Sequence, residues 1–204
     1  MLPVSVVFPP VAADLADVAG RLREVVVDQG MTFRGPHWLQ ERSEAGSKAV
    51  CFQRGVAGEF PGGLDLTGVD GVSFPVQVKQ DEAVSEWIAS LTRQPRGCAL
   101  RYITDITEDR IDVHEGWVIG LLARTLAVFD LPVAWLDLSD ELVRVEQVDP
   151  DRLAARLVQP PFPRMLVSTD PPPAWLASAL ERAAPHTVLR VTTGFLAMLR
   201  STDA

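Results

Sequence analysis

Residues 98–138 read CALRYITDITEDRIDVHEGWVIGLLARTLAVFDLPVAWLDL. An apolar run rich in strand formers (Cys98–Thr104) passes through an acidic turn into a long apolar helix, and a second apolar run (Val133–Leu138) follows Pro132. From Val113 to Phe129 the large apolar residues, Trp117, Ile119, Leu122, Leu126 and Phe129 among them, do not keep to one stripe. A helix apolar on nearly every side is one buried between other elements. Gly116, Gly120, Ala123 and Ala127 form a small-residue ridge along it that would allow close backbone approach. Asp112 reads as the N-cap, with Glu115 closing a capping box. The helix should stop at Asp130, because Pro132 disfavours a helical residue before it.

Outward from this stretch the chain alternates between apolar runs and helical periods. Leu2–Phe8 reads as a strand, and Val11–Asp28 as a helix with Leu15, Val18, Leu22, Val25 and Val26 inward, stopped by Gly30. Strands are expected near Met31–Phe33 or Trp38–Glu41, near Lys48–Gln53 and at Val72–Lys79. Glycines at 55, 58, 62, 63, 68 and 71 mark a loop with at most a short strand at Leu64–Leu66. Val84, Trp87, Ile88 and Leu91 follow helical spacing, so a helix is expected after Asp81. Met165–Ser168 and Thr187–Thr192 read as strands. Asp170-Pro171 reads as a helix start, and Gly194–Leu199 as a short last helix.

Two segments echo each other. FPVQVKQDEAVSEWIASLTRQPRGCALRYIT (74–104) and FPRMLVSTDPPPAWLASALERAAPHTVLRVTT (162–193) both open on Phe-Pro and both carry Trp-aliphatic-Ala-Ser. The expectation is one compact domain, 1–204, of two pseudo-repeated halves, about 1–105 and 106–204. The class expected is α/β, with α+β the alternative, and a mixed sheet covered by helices.

Composition narrows the function. Apolar residues make up 47% and charged residues 23%, a globular balance, and the formal net charge is −8. That sign argues against a protein that mainly grips nucleic acid or an anionic membrane, and suits a basic protein partner. Two cysteines, Cys51 and Cys98, are too few for a disulfide scaffold or a cysteine zinc site. The start, MLPVSVVFPP, lacks a basic segment, and no apolar run reaches a membrane-spanning length, so a cytoplasmic location is expected.

The densest group of chemistry-bearing side chains is Asp105, Asp109, Asp112 and His114, with Arg101 just upstream. Carboxylates at a strand-to-helix turn can hold a ligand or a hard cation, and a histidine beside Asp109 or Asp112 is a residue type suited to a general base. Acids at a helix start are also favourable for the helix dipole alone, and no metal-binding spacing is present. The plain reading is solvated capping, with no cofactor or metal implied. Nucleophile-elbow and phosphate-loop patterns are missing. Trp38, after Gly35-Pro36-His37, is the best single anchor for a protein partner if its loop is exposed, with His37 beside it.

Asp112-x-His114 leading to Gly120-Leu121-Leu122-Ala123, then Phe129 and Val133–Leu138, in a lysine-poor, Ala/Arg/Val/Asp-rich chain, resembles small acidic actinobacterial proteins of unknown function, some of them similar to immunity proteins of contact toxins. The likeness is confined to these residues. It implies a protein that binds and blocks a toxin enzyme without catalysis of its own. The reading therefore favours a non-catalytic binding module. The alternative is a small enzyme or ligand-binding domain with its site at residues 104–115.

Overall fold

The computed structural model describes residues 4–8, 11–34, 37–41, 51–54, 66–80, 83–94, 97–104, 108–137, 165–182 and 187–199. The chain divides into two compact units. The first is Pro10–Ile106; the second joins Met1–Pro9 to Thr107–Ala204. The fold is α+β. Within each unit every described strand pairing is antiparallel, where a mixed sheet was expected.

In the first unit, helix α1 (Leu15–Asp28) precedes strands β2 (Met31–Phe33), β3 (Trp38–Glu41), β4 (Cys51–Arg54), β5 (Val69–Gln80), β6 (Ala83–Gln94) and β7 (Gly97–Thr104). The strand order is β7-β6-β5-β3-β4, with β2 paired to β5. α1 begins at Leu15, later than Val11, because Asp14 is the cap: its Oδ1 accepts the Asp17 N–H at 2.8 Å. Val11 instead exchanges two backbone hydrogen bonds with Cys98, both 2.8 Å, which ties the chain before α1 to β7. Gly30, at φ 67°, donates to the Val27 carbonyl and ends the helix as expected. The stripe Leu15, Val18, Ala19, Leu22, Val25 and Val26 is buried, and α1 packs against β2, β6 and β7.

The stretch after Asp81 is a strand, not a helix. Val84, Trp87, Ile88 and Leu91 do fit a helical face, but Trp87, Ala89 and Leu91 are the buried residues and Ile88 is 38% exposed. That is period two. The helical reading failed because small Ala89 carries little weight in a pattern of large apolar residues, while Ile88 on the other face carries much. The echo between 74–104 and 162–193 fails at the same point: its first copy holds β6, its second a helix.

The members of the second unit are β1 (Val4–Val7), helix α2 (Glu108–Phe129), β8 (Val133–Asp137), β9 (Met165–Thr169), helix α3 (Ala174–Arg182), β10 (Thr187–Thr192) and β11 (Phe195–Leu199). Their strand order is β10-β11-β9-β8-β1. Residues 195–199 are a strand, not the expected helix: Gly194, at φ 93°, turns the chain so that β11 pairs with both β10 and β9. α3 starts at Ala174 rather than Pro171, with the Pro173 carbonyl accepting from Leu176 and Ala177. α2 ends at Phe129 as expected, followed by Asp130 at φ 52° and a Leu131 N–H bond back to Leu126. Gly116 is exposed and has no atom within 4 Å of where a Cβ would stand, so the small-residue ridge is not a close packing surface there.

The two sheets differ in how they are covered, and their sequences carry the difference. In the second unit Val133, Trp135, Leu166 and Met198 form a core with Leu176 of α3. The other parity of the same strands, Ala134, Leu136, Met165, Val167 and Ala197, is buried as well, and α2 packs against β8, β9 and β10. A sheet covered on both faces reads as near-continuous apolar runs, as in VAWLD and MLVST. The first unit's β5 and β6 alternate instead, with one apolar parity and one polar. The expected strand at Leu64–Leu66 falls largely outside the described residues.

Candidate functional site

The parity of β3, β5, β6 and β7 that faces away from the core is the feature with the clearest binding chemistry. The inward residues Val72, Phe74, Val76, Trp87, Ala89, Leu91, Leu100 and Tyr102 are buried. Between them lie residues that are half-buried or exposed. Cross-strand register sets these in transverse rows, because opposed residues of an antiparallel pair share a face. Trp38 opposes Ser73, Ser73 opposes Ser90, and Ser90 opposes Arg101. One pair further along, Pro75 opposes Ile88 and Ile88 opposes Ile103. The next row sets Thr32, Gln77 and Glu86 side by side.

Local bonds hold this surface. The Ser73 and Ser90 hydroxyls meet at 3.1 Å. Arg34 donates its backbone N–H to the Pro75 carbonyl at 2.8 Å. Its side chain then lies on Gln77, with Nε at 3.0 Å and Nη2 at 2.6 Å from Oε1. At Gly71 the strands come so close that an added Cβ would sit 2.9 Å from the Leu91 carbonyl oxygen. The centre of the face is a flat floor of serines between a tryptophan and an arginine, with an aliphatic row beside it.

Of the residues singled out in the sequence, Trp38 and Arg101 are the two this face brings together. Trp38 stands at the start of β3 rather than in a loop, and is half-buried. His37 is not part of the face. Its ring is 1% exposed on the core side, edge-on to Phe74 with centroids 5.2 Å apart, so it offers no surface contact. Asp109, Asp112 and His114 lie within α2, whose first residue is Glu108, so Asp112 is not the N-cap and His114 is beyond the first turn. Asp105 lies outside the described residues. Arg101 belongs to the first unit and these α2 residues to the second. Arg34, Ser73, Pro75, Ile88, Ser90 and Ile103 were missed. The signal that could have found them is the strict alternation of β5 and β6 once both are taken as strands.

Among the described residues, no group of three His, Cys, Asp or Glu side chains is placed to hold a metal ion. Cys98 is buried, and its burial raises the thiol pKa above the ordinary value, against a smaller lowering by Arg93. A buried thiol kept protonated is a poor nucleophile. No helix of the described residues is long and apolar enough to cross a membrane.

No protein-family profile matches the sequence, and no curated protein matches it. Among solved structures, the chain is similar to the Pseudomonas aeruginosa T6SS protein PA0821, at 13% identity and a TM-score of 0.39. The match covers 97% of this chain and 64% of that one, so the chain spans less than two thirds of that protein's length. At this TM-score the likeness carries no weight for fold or function.

Proposed function

We propose that this chain is a non-catalytic protein-binding module and that it meets its partner through the outer face of the β7-β6-β5-β3 sheet. The observation that supports this is the row Trp38–Ser73–Ser90–Arg101 beside the aliphatic row Pro75–Ile88–Ile103. Tryptophan and arginine dominate the binding energy of protein interfaces, and work best next to flat, dehydratable surface. Ile88 is one of two large apolar side chains exposed among the described residues, and it sits in the middle of this face. The finer reading, which rests on the sequence resemblance, is an immunity-type inhibitor that covers a toxin enzyme in the cytoplasm. The net charge of −8 would speed the approach of a basic enzyme from a distance.

The test is affinity capture from the native host at low salt with the wild-type chain, Trp38→Ala and Ile88→Asp, read by native mass spectrometry. A stoichiometric protein held by the wild type and lost by both variants is expected. Equal capture by all three removes the face from the reading. A retained small molecule or metal without a protein would shift the function to ligand binding.

A further inference from the structure

We draw no further inference here: the strongest candidate, the surface patch around Ile88 on the outer face of the β7-β6-β5-β3 sheet, belongs to the contact site already described, and nothing in the structure shows what covers it.

Discussion

Trp38 and Arg101 lie on one transverse row of one sheet, with Ser73 and Ser90 between them. They are 63 positions apart in the chain, yet three inter-strand spacings, about 15 Å, separate them. The two serines between them leave a low floor along the row. His37, next to Trp38 in sequence, faces the other way into the core.

The strand assignment of β6 predicts opposite outcomes for neighbouring substitutions. Ile88 is on the outer face, so Ile88→Asp should change stability by no more than about 1 kcal/mol. Ala89 is fully buried opposite Tyr102 and Phe74, so Ala89→Asp should cost about 3 kcal/mol or more through a buried, unpaired charge. Urea unfolding of both variants checks this. The reverse order would restore the helix that the spacing of Val84, Trp87, Ile88 and Leu91 suggests.

Gly97 should be intolerant where Gly116 is permissive. Gly97 is at φ 128°, and a Cβ there would collide with the Val11 carbonyl oxygen, inside the paired hydrogen bonds between Val11 and Cys98. Gly97→Ala is expected to destabilise by more than about 2 kcal/mol. Gly116 stands exposed in α2 with open space where a Cβ would go, so Gly116→Ala should be neutral or stabilising by up to about 1 kcal/mol. Thermal unfolding of the two variants side by side distinguishes the positions.

Loss of the Asp14 cap should weaken α1 without altering the fold. Its carboxylate accepts the Asp17 N–H at 2.8 Å, and Asp14→Ala is expected to cost about 1 kcal/mol. The neighbouring Asp17–Arg21 pair, 3.9 Å apart and largely solvated, should contribute well under that, so Arg21→Ala is predicted to change the urea midpoint less than Asp14→Ala.

Cys98 gives the pH dependence a sign. Burial raises its thiol pKa, so the folded state favours the protonated form. The resulting stabilisation is fully present below the unfolded-state thiol value, about 8.5, and is lost as pH rises through the folded value. In a Cys51→Ala background, unfolding free energy should fall between neutral pH and pH 10, and Cys98→Ala should flatten that part of the profile. Alkylation at pH 7.5 should be slow in the native protein and fast in urea. Rapid alkylation of the native chain would show that the thiol is accessible.

Much of the architecture could be read from local pattern. The apolar runs at Cys98–Thr104, Val133–Leu138 and Met165–Ser168, the stripe of α1 and the stop after Phe129 each follow from a few adjacent residues and their turn chemistry. The candidate site was legible only in fragments. Trp38 and Arg101 were each singled out on residue type, Trp38 as an anchor and Arg101 with a cluster whose Asp109, Asp112 and His114 belong to the other unit.

Alternation, caps and turns belong to the sequence, because neighbours a few residues apart settle them. Three things had to wait for the tertiary structure. Whether 83–94 would be helix or strand depended on β5 and β7 standing ready to bond both of its edges. Whether 195–199 would extend depended on β9 as well as β10. The row that joins Trp38 to Arg101 depended on register across four strands. Short apolar segments satisfy helical and strand periods almost equally, and only the backbone partners supplied by distant strands break that tie.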